Sequence, residues 1–217
     1  MSIHTNNFLF ELEKLKLMPA ITINDADKAV PLCKALLNGG QKVAEVPLRT
    51  PCAIDAIRRI ANETDMLIGA GTVLSISQAQ AAIDAGASVL ISPGFNPDVV
   101  KYAHDKCINI IPGVATPTEI EMAMSYGIDI MKLFPADAMG GPKLLKSLYP
   151  PYPKARFIPM GGISGSNMRE YMACPNVFAL GGTWIARSGM IDKGAFDDIE
   201  ETVRQSLFAI KSITKGN

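Results

Sequence analysis

Residues 42–71 read KVAEVPLRTPCAIDAIRRIANETDMLIGAG. Two short apolar runs, KVAEVPL from 42 and DMLIGAG from 65, flank PCAIDAIRRIANE, whose apolar residues recur at helical spacing. That is a strand, a helix and a second strand in about thirty residues, the size of one βαβ unit. The same pattern extends in both directions. MPAITI from 18, SVLIS from 88, INIIPGV from 108, IDIMKLF from 128, ARFIPMG from 155 and NVFALGG from 176 are further short apolar or β-branched runs. Helical segments such as DADKAVPLCKALLNGG, SISQAQAAIDAG, NPDVVKYAHDKC and TPTEIEMAMSYG lie between them, several closed by a C-terminal glycine. The strand starts repeat at intervals of about 20 to 27 residues.

Near-continuous apolar strands alternating with helices predict a parallel sheet covered on its outer face. Eight such units predict an α/β fold of the (β/α)8 TIM-barrel class, preceded by a short N-terminal helix over MSIHTNNFLFELEKLK. A Rossmann or flavodoxin-like sheet is the alternative, but eight units exceed its needs and no G-x-G-x-x-G follows the first strand. With 217 residues, residues 1–217 are expected to form a single barrel domain without an inserted one.

Composition excludes several functions. Charge balances at 21 basic against 21 acidic residues, with no like-charge run longer than a pair such as Arg58-Arg59, so neither nucleic acid nor a membrane surface is an expected partner. The N-terminal stretch is too polar for a signal sequence and too short for a membrane span. Cys33, Cys52, Cys107 and Cys174 are scattered, with no C-x-x-C pair, and read as reduced, buried thiols of a cytoplasmic protein. Two histidines, His4 and His104, cannot build a histidine-rich metal site, and no metal is expected.

Barrel chemistry sits at the C-terminal ends of the strands. Glu45, Arg49, Thr72, Lys132 and the double glycines Gly161-Gly162 and Gly181-Gly182 all fall there. Period-two alternation puts Lys132 on one face with Ile128, Ile130 and Phe134, either inside the barrel or as an exposed edge lysine; barrels have no edge, which favours the interior. Withdrawing an ammonium from water favours the neutral amine, whose lone pair can attack a carbonyl, and neighbouring Phe134 and Pro135 would help exclude water. Glu45, on one face with Val43 and Pro47, is a general base or the ion-pair partner of Arg49 or Lys132. Arg49 could hold a carboxylate through two parallel hydrogen bonds. Thr72 could add a hydroxyl, or either Thr72 or Ser75 could cap a helix. The double glycines, with Thr183, stand where barrels often bind phosphate, on free N–H groups and a helix N-terminus, although paired glycines are also common in plain turns.

Along nearly its whole length the sequence resembles the bacterial 2-keto-3-deoxy-6-phosphogluconate (KDPG) and 4-hydroxy-2-oxoglutarate (KHG) aldolases. The resemblance is carried by EVPLRT at 45–50, GAGTVL at 69–74, ISPGFNP at 91–97, IPGVATPTE at 111–119, MKLFPAD at 131–137, PMGGIS at 159–164 and GGTW at 181–184. It implies a class I aldolase without metal or cofactor, whose covalent Schiff base with pyruvate forms on Lys132. It also implies Glu45 as general acid/base, Arg49 and Thr72 on the pyruvyl carboxylate, and Phe134 and Pro93 lining the site. Gly161, Gly162, Gly182 and Thr183 would then surround the distal phosphate, and the molecule would be a cytoplasmic homotrimer. Met160 departs from the pattern, standing where the KDPG enzymes usually carry threonine; methionine cannot donate a hydrogen bond to the substrate's C4 oxygen, which points toward relaxed C4 discrimination, the galactonate epimer or KHG. Asp137 for glutamate and Thr183 for serine keep the functional group. A phosphosugar isomerase or epimerase on the same barrel, or a sugar-acid-binding barrel without turnover, are the competing readings.

Overall fold

The computed structural model describes residues 3–215. The side chain of His4 lies outside the described ones. In chain order the elements are α1 (Ile3–Leu15), β1 (Leu17–Pro19), α2 (Ala29–Asn38), β2 (Val43–Pro47), α3 (Ala53–Glu63), β3 (Leu67–Gly71), α4 (Ile76–Asp84), β4 (Val89–Ile91) and α5 (Pro97–Asp105). They continue as β5 (Ile110–Ile111), β6 (Gly113–Val114), α6 (Pro117–Ser125), β7 (Ile130–Leu133), α7 (Gly141–Leu148), β8 (Arg156–Pro159), α8 (Met168–Met172), β9 (Leu180–Gly182), α9 (Ser188–Lys193) and α10 (Phe196–Lys215).

All strand pairs are parallel, and they close on themselves. β2 to β5 form one ladder, β6 to β8 a second, and β1 pairs with β9, Leu17 opposite Leu180 and Pro19 opposite Gly182. Single bridges join the ladders, Ala20 with Glu45 and Phe157 with Val177. The run INIIPGV, expected as one strand, is split into β5 and β6 because Pro112 has no N–H to give a ladder; its carbonyl still accepts from Lys132 N at 2.9 Å. β5 and β6 thus share one of eight barrel positions. The expected first and last strands are likewise shorter, to three residues each, with bridges continuing where regular pairing stops.

The helices form for local reasons. Thr116 and Glu119 make a reciprocal capping box at α6, Asn96 caps α5 just before Pro97, and Ser75 caps α4 by accepting from Gln78 N. In α2, Ala29, Leu32, Cys33 and Leu36 are buried at helical spacing, and in α3 Ala53, Ala56, Ile57 and Ile60 are. These stripes build the large apolar layer between helices and barrel. A second apolar cluster fills the barrel: Val43, Val89, Ile91, Ile111, Ile158 and Phe178 point inward, and α1 contributes fully buried Phe8 and Leu12. α1 therefore plugs the end of the barrel opposite the strand C-termini, each buried side chain contributing roughly 1.5–3 kcal/mol. The cysteines are free, but only Cys33 and Cys174 are buried, which corrects the expectation for Cys107, exposed, and Cys52, half-buried. Burial pushes the Cys33 thiol up to about 12, so it is an inert packing group.

Candidate active site

β2 and β7 carry the two charged groups that the barrel buries. Lys132 is 6 % exposed and Glu45 1 %, and Lys132 Nζ donates to Glu45 Oε1 at 3.3 Å. Both point inward because Val43, Glu45 and Pro47 alternate with outward Ala44 and Val46, and Lys132 shares its face with Ile130, which packs against the inner cluster. Lys132 is thus no edge lysine, and the partner of Glu45 is Lys132 rather than Arg49. The second carboxylate oxygen, Glu45 Oε2, is buried with no hydrogen-bond partner in the protein. A buried oxygen left this way is held ready for a ligand or water.

The carboxylate has room because β3 ends in Gly71. A Cβ there would stand 2.0 Å from Glu45 Oε1 and 2.5 Å from its Cγ. Gly181 plays the same part for Met160, whose thioether would lie 2.9 Å from an added Cβ. Next along β3, Thr72 adopts φ +57°, a left-handed conformation unusual for a β-branched residue. Such strain clusters where a side chain is being aimed. Thr72 is not the helix cap; Ser75 is.

Lys132 and Glu45 face a cavity of about 330 Å³, and Arg49, Thr72, Pro93, Phe134, Met160, Gly161, Gly162, Gly182 and Thr183 line it with them, whereas Gly181 packs against Met160 instead. Ala20, Pro47 and Ile163 complete the wall and were not foreseen; their only sequence signal was adjacency to strand ends. Arg49 Nη2 donates to Thr22 Oγ1 at 3.2 Å, which leaves most of its donors uncommitted. The Phe134 ring lies 5.2 Å from Lys132 Nζ, close enough for a cation–π contact. At 38 % exposure Phe134 stands at the mouth and covers the lysine incompletely, less than was expected.

The glycines require one correction. Gly161 and Gly162 have φ +92° and +86°, which no helix accommodates, and the next helix, α8, begins only at Met168. They form an irregular loop, so no helix begins directly after this double glycine. The N–H groups of Gly161, Gly162 and Thr183 have no acceptor among the described residues. Asn167 holds the loop, donating from Nδ2 to Gly162 O at 2.8 Å and accepting from Ser164 N at 2.9 Å. Asp137 packs behind it, where a Cβ on Gly162 would lie 2.3 Å from Asp137 Cβ. Tyr171 donates to Asp137 Oδ1 at 3.3 Å; burial, then the Asp137 charge, push its phenol up to about 12 and keep it a donor. Asn167 carries no motif of its own in the sequence and was missed. Among the described residues no group of three His, Cys, Asp or Glu side chains could hold a metal ion, and no helix is long and apolar enough to cross a membrane.

A parallel barrel with an inward lysine, hydrogen-bonded to a buried carboxylate in a cavity edged by a glycine loop with unpartnered N–H groups, defines the class of lysine-dependent aldolase barrels. The chain belongs to the KDPG and KHG aldolase family, whose model matches residues 10–202. The 2-dehydro-3-deoxy-phosphogluconate aldolase of Treponema pallidum is 44 % identical over 201 residues, covering 92 % of this chain and 96 % of the relative. Among solved structures, the KDPG aldolase of Legionella pneumophila, with pyruvate captured at low pH as a covalent carbinolamine intermediate, superposes with a TM-score of 0.85 at 38 % identity, over 87 % of this chain and 92 % of that one. The Zymomonas mobilis ZM4 enzyme, with 3-phosphoglycerate, also gives 0.85, at 34 % identity over 90 % and 93 % of the two chains.

Proposed function

We propose that this protein is a class I aldolase that cleaves 2-keto-3-deoxy-6-phosphogluconate to pyruvate and glyceraldehyde 3-phosphate through a Schiff base on Lys132. The observation that carries the proposal is the buried Lys132–Glu45 pair, 3.3 Å apart in a cavity, with one carboxylate oxygen unpartnered. In this reading the Lys132 amine attacks the C2 carbonyl of the 2-keto acid, and loss of water from the carbinolamine gives the iminium. Glu45 takes the C4 hydroxyl proton, directly or through one water. The C3–C4 electron pair flows into the iminium, leaving an enamine on Lys132 and releasing the aldehyde. The protonated Glu45 returns its proton to C3, and hydrolysis frees pyruvate and the amine. The electron sink is the covalent lysine itself, so no metal or cofactor enters the cycle.

Arg49 and Thr72 hold the pyruvyl carboxylate, Phe134 and Pro93 narrow the mouth, and the free N–H groups of Gly161 and Gly162 with Gly182 and the Thr183 hydroxyl receive the distal phosphate. The protein works as a cytoplasmic homotrimer on a small-molecule substrate.

Met160 favours a second substrate. It is 4 % exposed, lines the cavity and has no hydroxyl to recognise the C4 oxygen, which supports cleavage of the C4-epimeric galactonate compound or of KHG beside KDPG. A panel of the three substrates, read by pyruvate release, tests both points. Release from KDPG is expected, with release from a second member marking relaxed C4 discrimination; no release from any would leave a binding protein or an isomerase.

A further inference from the structure

The geometry points to Arg187 as a specificity-determining residue that supplies the positive charge for the anionic end of the substrate, an inference that rests on the aldolase reading above. The loop and hydroxyl proposed to receive that anion contain no cationic side chain. Of the two cations lining the main cavity, Lys132 is paired with Glu45 and Arg49 is assigned above to the pyruvyl carboxylate, the other end of the substrate. An anion withdrawn from water without a countercharge is strongly disfavoured, so N–H groups and one hydroxyl leave the charge of a phosphate incompletely balanced.

A second cavity, of about 290 Å³, adjoins the first and shares Ala20 and Thr183 with it. Thr22, Ala186, Arg187 and Ser188 complete its lining. Ala20 and Thr183 therefore stand between the two, and Thr183 is among the residues proposed above to receive the phosphate. Arg187 lies four residues beyond Thr183. Its guanidinium, the Ser188 hydroxyl and the Thr183 hydroxyl have no hydrogen-bond or ion-pair partner among the described residues. The nearest acid in the sequence, Asp192, is occupied: Asn24 Nδ2 donates to both its carboxylate oxygens at 3.1 Å. Lys28 donates to the Asp192 carbonyl, tying α9 to the segment after β1. The loop that carries Arg187 is thus anchored at its far end.

An exposed arginine is commonly just a solvated surface charge. Three features separate this one: it lines a cavity, that cavity shares a wall with the end of the site proposed to hold the anion, and the Thr183 and Ser188 hydroxyls there are without partners among the described residues. A planar guanidinium suits two oxygens of one phosphate, which an ammonium at the same place would contact as a point charge. Substrates with a distal phosphate gain this contact; one whose aldehyde half is as short as glyoxylate does not extend to it.

The test is the ratio of kcat/KM for KDPG to that for 4-hydroxy-2-oxoglutarate, measured on the full-length protein at low and at raised salt. Arg187→Ala is expected to lower the ratio roughly tenfold, through KM for the phosphorylated substrate, and Arg187→Lys to restore part of it. The wild-type ratio falls with salt and the alanine variant's hardly does. Competitive inhibition by inorganic phosphate weakens in parallel. Because Arg187 is exposed, its truncation leaves folding intact, which thermal melting checks. A ratio within twofold of wild type in Arg187→Ala overturns this inference while leaving the aldolase reading in place. A wild-type protein that releases no pyruvate from any substrate removes both.

Discussion

Gly71→Ala is a one-carbon change whose consequence follows from the geometry of the site. Gly71 does not occupy the left-handed region, so alanine brings no backbone strain; what it brings is a Cβ 2.0 Å from Glu45 Oε1, 2.5 Å from Cγ and 2.6 Å from Cδ. Ordinary contact distances begin near 3.4 Å, so the carboxylate must shift by about 1 Å or more, away from Lys132 or out of its rotamer. A misplacement of about 1 Å at a reacting group costs on the order of a hundredfold in rate, and overpacking costs about 1–3 kcal/mol of stability. Gly69→Ala serves as the control. It lies two residues earlier on β3 and meets Val89 Cγ1 at 2.8 Å and Ile91 Cδ1 at 3.1 Å, so its closest clashes are with apolar side chains of the same barrel rather than with the Glu45 carboxylate. Steady-state kcat on KDPG, with melting temperatures for both variants, reads the two effects apart. The expectation is comparable destabilisation in both and a loss of kcat on the order of a hundredfold in Gly71→Ala alone. A Gly71→Ala enzyme within about threefold of wild-type kcat would refute the argument that the Glu45 position sets the rate.

Other substitutions test neighbouring parts of the account. Glu45→Gln keeps the shape but not the base: turnover falls by roughly two to four orders of magnitude while pyruvate remains trappable by borohydride, as single-turnover and mass measurements would register. Asn167→Ala releases both the Gly162 carbonyl and the Ser164 N–H, and is expected to raise KM for KDPG roughly tenfold with little change in kcat. Glu119 is buried enough for desolvation to raise its pKa, but the Ala115 and Thr116 N–H groups and the Thr116 hydroxyl outweigh this and hold it below the usual carboxylate range. A lowered folded-state value means stabilisation that is full above the unfolded pKa and lost as pH falls through the folded one. Glu119→Ala should therefore cost about 1 kcal/mol at neutral pH and progressively less in acid, measured by urea unfolding across pH.

The barrel was legible because its strands are short, apolar and evenly spaced, and the inward face could be counted by twos from Lys132. The same counting put Glu45 inside. What the sequence hid depends on contacts between distant segments. Pro112 marks the break in INIIPGV within the sequence itself, but α1 reads as an amphipathic helix without revealing that Phe8 and Leu12 plug the barrel. The need for glycine at 71 and 181 comes from side chains on other strands, Glu45 and Met160, and so left only a glycine-rich appearance in the sequence. Asn167 acts by bridging two backbone groups a few residues away, a role any loop asparagine could have. The double glycine at 161–162 lines the cavity but was expected to adjoin a helix N-terminus, because the six residues between Gly161 and α8 carry no periodicity to show where the helix starts.

The central claim is that Lys132 is the nucleophile. Incubation with pyruvate and borohydride, followed by intact-mass measurement and peptide mapping, tests it without assuming which aldehyde the enzyme prefers. The account predicts a single reduced pyruvyl group on the peptide that contains Lys132, and none in Lys132→Ala. An adduct on another lysine, no adduct at all, or normal turnover by Lys132→Ala would contradict it.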